Sequence, residues 1–183
     1  MFSFLQNIQS QLRLPVPGAL AADVKKVIRD YPNHFANLAG ELIEEHPQST
    51  DYRCNFRVTG AEESIVTRYS GRTGICSWEA VMLTTENFEK ARQKFRSLYN
   101  QLNNLTADPG AAGMVRYRGT YEAPDEQRKF TSVLFSPESS REPDTRLKME
   151  LVIQFYAPME WKVKVLVYDL ERYDNERSER EED

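Results

Sequence analysis

The histidines, cysteines and paired carboxylates are the first places in this sequence to look for chemistry. Only two histidines occur, His34 and His46. His34, Glu41 and Glu45 are spaced by seven and four, which on a helix would set all three near one stripe and permit a metal site. Leu38 falls in that stripe too, and no second segment offers an obvious Cys or His. The expectation is therefore a solvated helix face and no metal. His46 suits the last turn of the same helix, where a cation meets the helix dipole.

A thiol route would need Cys54 and one of the histidines, since nucleophile, base and orienting group must converge. Cys54 alternates with Tyr52 and Phe56 on what reads as a dry strand face, where a thiol is inert. The run Gly74-Ile75-Cys76-Ser77-Trp78 lacks the spacing and second glycine of a nucleophile elbow. Gly110-Ala111-Ala112-Gly113 has no following Lys-Ser/Thr and no preceding strand, so it reads as a flexible loop and not as a phosphate cradle. The carboxylate pairs Glu44-Glu45, Glu62-Glu63 and Asp125-Glu126 fall at turns or helix ends, with nothing apolar around them to raise a pKa. No catalytic constellation and no cofactor motif emerges. The sequence reads as a non-enzyme, with an unrecognised hydrolase built on Cys54 and a histidine as the catalytic rival.

Period two carries a different kind of site. Tyr52, Cys54, Phe56 and Val58 alternate with Arg53, Asn55 and Arg57, and Val115, Tyr117, Gly119 and Tyr121 alternate with Arg116, Arg118 and Thr120. Each pattern is a strand with one dry and one wet face. Strands are also expected at 64–69, 75–83 and 129–135. The longest pair, 146–156 and 161–170, forms a hairpin through Ala157-Pro158-Met159-Glu160, with Leu147, Met149, Leu151, Ile153 and Phe155 matching Trp161, Val163, Val165 and Val167. The wet face then carries Arg53, Arg57, Arg116, Arg118, Lys148, Lys162 and Lys164, with Val152, Tyr156, Leu166 and Tyr168 among them. Cations with aromatics could hold an anionic ligand or a single-stranded nucleic acid. Cross-strand pairing with Glu79, Glu150 and Asp169 is the plainer account. The apolar members suggest cover by a partner or by the N-terminus.

Helices should hold these strands in place. Leu20, Val24, Val27 and Ile28 define one at 19–30. Phe35, Leu38, Ala39, Leu42 and Ile43 define a second, capped by Asp30 with Pro32 in its first turn and ended by Pro47. Phe88, Ala91, Phe95, Leu98 and Leu102 define the strongest, from Glu86 to about Asn103, with Thr85 as its cap. Phe4 or Leu5, Ile8 and Leu12 give residues 1–18 the look of an arm that docks by one face. The resulting fold class is α+β: an antiparallel sheet of about seven strands with one face covered by helices, in the order α-α-β-β-β-α-β-β-β-β. Phe35, Leu38 and Leu42 recur as Phe95, Leu98 and Leu102 at an offset of 60, which suggests an internal duplication pairing Trp78 to Leu83 with Glu150 to Phe155.

Composition bounds the partners. The 183 residues carry a net charge of -4, with 40% hydrophobic residues. Seven acids against three arginines in residues 171–183 account for the whole imbalance, leaving residues 1–170 neutral, with a single α+β domain at 19–170 and an acidic tail that reads as disordered. A neutral body argues against duplex nucleic acid. Cys54 and Cys76 are too few for a disulfide framework, and about two strand spacings, roughly 9.6 Å, would part them. No run is long and apolar enough to span a membrane. Ala19-Leu20-Ala21 imitates a signal-peptidase site, but no basic n-region or unbroken apolar stretch precedes it. The expected address is the cytoplasm, or export if the native start was trimmed.

These readings converge on a non-catalytic interaction or binding domain that self-associates through the 146–170 hairpin and the arm. Tyr156, Trp161 and Tyr168 would be its aromatic anchors, and Arg116, Arg118, Lys162 and Lys164 its orienting charges. The alternative is a carrier of a small apolar or amphipathic ligand, held between sheet and long helix by Trp78, Met82, Phe95, Tyr117 and Phe130.

Overall fold

The apolar periodicities place two of the three expected helices almost to the residue. In the computed structural model, which describes residues 18–70, 75–110, 113–138 and 146–169, helix α1 is Ala19–Asp30 and buries Leu20, Val24, Val27 and Ile28. Helix α2 is Phe88–Leu102 and buries Ala91, Phe95, Leu98 and Leu102. Its cap is Asn87, whose side chain accepts a hydrogen bond from the Lys90 amide at 2.9 Å. Thr85, the expected cap, instead accepts from the Asn87 amide.

The expected second helix does not form. Tyr31–Asn33 make one 3₁₀ turn, His34 and Phe35 both take left-handed backbone angles, and Ala39–Glu45 is a strand, β1. Asp30 decides this locally. Its buried carboxylate accepts from Asn33 Nδ2, from the Asn37 backbone and from Asn37 Nδ2, pulling the chain round into a turn before a helix can propagate. Phe35 and Leu38 are buried by that turn, so their spacing of three was a turn's spacing and not a helix's.

Eight further strands follow: β2 (Ser49–Cys54), β3 (Glu63–Tyr69), β4 (Cys76–Thr85), β5 (Leu105–Ala107), β6 (Val115–Arg118), β7 (Phe130–Glu138), β8 (Leu147–Tyr156) and β9 (Glu160–Asp169). Among the described residues the antiparallel sheet thus has nine strands where about seven were expected, β1 and β5 being the additions. The first wet-dry strand also stops at Cys54, and Phe56 and Val58 reach the core from a loop.

Strand order is β1-β2-β3-β4-β9-β8-β7-β6-β5. Each half of the chain therefore runs a helix and then a meander that starts at an outer edge and ends at the centre, where β4 and β9 pair along their length. Any repeat matches α1 with α2 and β4 with β9. The offset of 60 fails, because Phe35 and Leu38 sit in a turn and Leu42 on β1, whereas Phe95, Leu98 and Leu102 sit on α2. Trp78 to Leu83 lies on β4, whose counterpart is β9 and not β8.

One face of the sheet carries the core. Trp78, Val167, Met149 and Phe135 form one row across β4, β9, β8 and β7, all buried, and α2 lies over β4, β9 and β8. Trp161, Val163 and Val165 are on this dry side, and Lys162 and Lys164 on the other, as their alternation requires. No helix among the described residues is long and apolar enough to cross a membrane.

Candidate functional site

The face turned away from the helices is assembled from the central strands, because period two sends alternate side chains of β4, β7, β8 and β9 to it. Val152, Leu166 and Tyr168 form a second apolar cluster there, and all three are buried. Tyr168 donates its hydroxyl hydrogen bond to Glu150 Oε2 at 3.0 Å. Beside them on β7, Phe130 and Leu134 stand 48% and 43% exposed. They are in register with Gln154 and Glu150, so both lie diagonal to Val152, within reach of large side chains. Phe130 and Leu134 supply exposed apolar surface next to this buried cluster.

The charges around this surface are largely paired. Lys164 meets Glu79 at 3.0 Å and Lys162 meets Glu160 at 4.0 Å. Both ammonium groups lie 5.2 Å from the centre of the Tyr156 ring. Burial alone would lower the pKa of Lys164, but Glu79 and Tyr156 outweigh it and hold the ammonium above the ordinary lysine value. Arg118 meets Glu138 at 3.1 Å. The cross-strand ion pair expected with Glu79 is present, whereas Glu150 accepts from the Tyr168 hydroxyl and Asp169 is on the helix side, accepting from the Tyr31 hydroxyl at 2.9 Å.

The expected binding residues therefore separate into three places. Tyr156, Lys162, Lys164 and Tyr168 share the side of β8 and β9 away from α2, the first three half-buried and Tyr168 buried, so Tyr168 is not an exposed anchor either. Arg116 and Arg118 point to the same side and are exposed, but β6 lies three strand spacings from β9, roughly 14 Å. Trp161 does not belong with either group. It is buried beneath α2, its ring 4.9 Å from Phe88 and 5.3 Å from Phe155, and it cannot anchor a partner from there. Phe130 and Leu134 take that place on the open face. Parity was the signal that could have found them, since Val133 and Phe135 claim the dry side of β7.

The residues expected to line a ligand pocket divide similarly. Trp78, Met82, Phe95 and Tyr117 lie between the sheet and the helices and are packed into the core. Phe130 is on the opposite face. Trp78, Phe95 and Tyr117 have no surface open to a water-sized probe, so no void of that size touches them. Two polar atoms in this group have no hydrogen-bond partner, the Trp78 indole N–H and the Tyr117 hydroxyl. Burial, with Asp108 adding a smaller effect, pushes the Tyr117 hydroxyl up to about 12.

The residues considered for catalysis are not brought together. His34 is exposed in the turn after α1, and Glu41 and Glu45 lie on β1, so the helical stripe that would have joined them does not exist. His46 lies 3.7 Å from Glu44 and 3.8 Å from Asp51. Cys54 and Cys76 are buried free thiols, and burial raises the pKa of Cys76. Among the described residues no group of three or more His, Cys, Asp or Glu side chains could hold a metal ion. Comparison of the chain with protein-family models, with curated proteins and with solved structures finds no match.

Proposed function

We propose that this chain is a non-catalytic protein-binding domain that associates with a second copy of itself through the open face of its sheet. The observation that supports it most is the exposed pair Phe130 and Leu134, beside the buried cluster of Val152, Leu166 and Tyr168, on the side that carries no helix among the described residues. A face on which Lys162 and Lys164 are paired with Glu160 and Glu79 carries less net charge than its lysines alone would give, which lowers the repulsion met by a second identical face. Four central strands of about ten residues offer roughly 15 by 30 Å per copy, or about 900 Å² for the pair, near the lower limit for a specific contact. The N-terminal arm, residues 1–18, would enlarge that area. All but Gly18 of it lies outside the described residues.

Light scattering on the eluting protein tests this reading. The full chain is expected at twice its monomer mass, and Phe130→Asp with Leu134→Asp, both exposed and hence tolerated by the fold, is expected at the monomer mass. A wild-type chain that is strictly monomeric at about 100 μM, well above the range of functional dimers, overturns it. The carrier reading is supported by the two unpartnered donors, Trp78 and Tyr117, to which a ligand acceptor could bond. Close packing around them leaves it second.

A further inference from the structure

The two outer strands of the sheet are built differently. β5 has three residues, buries Leu105 and Ala107, and is packed by α1. β1 has seven residues, about 23 Å of chain, of which six are exposed and none is buried. It pairs only with β2 among the described residues, none of which pairs with its outer main-chain edge. Leu42 and Ile43 are 54% and 40% exposed. Glu41, Glu44 and Glu45 stand on the same short strand with no cation. Glu44 has His46 for a partner at 3.7 Å; Glu41 and Glu45 have no ion-pair partner among the described residues.

Charges and irregular register are common means of keeping sheet edges from pairing with copies of themselves, and β1 has both, with two shifts in its register against β2. Antiparallel pairing of β1 with β1 would set carboxylates against carboxylates. The same three carboxylates attract a strand of opposite sign. An added strand would gain main-chain hydrogen bonds from the open edge, with two exposed apolar side chains, Leu42 and Ile43, beside it. We infer that β1 is a docking edge for an extended, lysine- or arginine-rich segment of another protein, which adds to the sheet beside it. Nucleic acid is excluded as the occupant by charge, and a second copy by like charge. This surface is separate from the open face, and the inference stands or falls independently of self-association.

The test uses the full chain and a fluorescein-labelled synthetic peptide of about ten residues, alternating lysine and valine, a length that matches the edge. The counterpart replaces lysine with glutamate. The lysine peptide is expected to bind by fluorescence anisotropy and the glutamate peptide not to bind. Raising salt from about 0.05 to about 0.5 M should weaken binding about tenfold or more. Hydrogen exchange should slow in residues 39–45. Glu41→Lys with Glu45→Lys, both exposed and unpaired, should weaken binding by about tenfold or more with an unchanged melting curve. Glu86→Lys with Glu126→Lys, the same charge change elsewhere, should leave it within about twofold. Equal binding of both peptides, retained binding in the β1 variant, equal loss in the distant variant, or slowed exchange elsewhere than β1 would each overturn the inference and leave these charges as edge protection only.

Discussion

Tyr117 shows how one atom can set a pH limit on the fold. Its ring fills the space between β6 and the helices, and its hydroxyl is enclosed without a partner. Leaving a buried hydroxyl unpaired costs about 1–3 kcal/mol, so Tyr117→Phe, which keeps the ring, should stabilise the protein by about 1 kcal/mol at neutral pH. A hydroxyl is also expelled as an anion from this surrounding, which raises its pKa to about 12. The folded state then holds its proton over a range where the unfolded chain, with a pKa near 10, has released it. Stability from this source is complete below about pH 10 and is lost as pH rises towards 12. Tyr31, raised chiefly by burial and further by its bond to Asp169, and Lys164 act in the same direction. Urea unfolding at neutral pH and near pH 11 should show wild type losing stability and Tyr117→Phe losing less. Equal losses in the two proteins would mean that folding does not raise the Tyr117 pKa, the phenolate being solvated or met by a donor in the folded state.

At the scale of elements, what the sequence disclosed depended on whether burial was one-sided. α1, α2, β3, β4, β8 and β9 each press one face on the core and leave a clean period, and their bounds were readable. β1 is exposed on both faces, so Ala39-Gly40-Glu41-Leu42-Ile43-Glu44-Glu45 has no alternation to read. β5 is too short for a period. For the site, parity placed Lys162, Lys164 and Tyr168 correctly on the wet side, and the same parity should have removed Trp161 and Phe130 from the roles they were given. The turn after α1 was concealed because its determinant is a hydrogen-bonded carboxylate and not a hydrophobic pattern. Asp30 receives three bonds from Asn33 and Asn37, and Asn55 Nδ2 donates to the Asn37 carbonyl to tie this turn to the end of β2. Asp30→Ala would leave those donors without their acceptor and should destabilise by about 2–3 kcal/mol, a fall of about 4–12 °C in Tm. Asp30→Asn, which retains an acceptor, should fall by less. A melting curve for Asp30→Ala within about 1 °C of wild type would show that burial of Phe35 alone suffices to form the turn.

The whole molecule joins two similar halves along β4 and β9, and that seam determines whether they behave as one body. Eight register pairs run from Ser77 with Tyr168 to Thr85 with Trp161. α2 belongs by sequence to the second half yet lies over β4 as well as β8 and β9. One continuous core takes Val24, Val66 and Trp78 from the first half and Phe95, Leu151 and Val165 from the second. Separating the halves would expose that core along a full strand and strip half the hydrogen bonds from two central strands, so neither half has a stable state of its own. Unfolding should be a single cooperative step. The two tryptophans are suitably placed to check this: Trp78 is buried in β4 and Trp161 in β9. Tryptophan fluorescence and far-ultraviolet circular dichroism should trace the same urea transition, with a common midpoint and slope. Loss of the Phe88–Trp161 contact before the rest of the sheet melts, seen as a fluorescence change that precedes the dichroism, would instead make the second half a separate folding unit and the central seam a hinge.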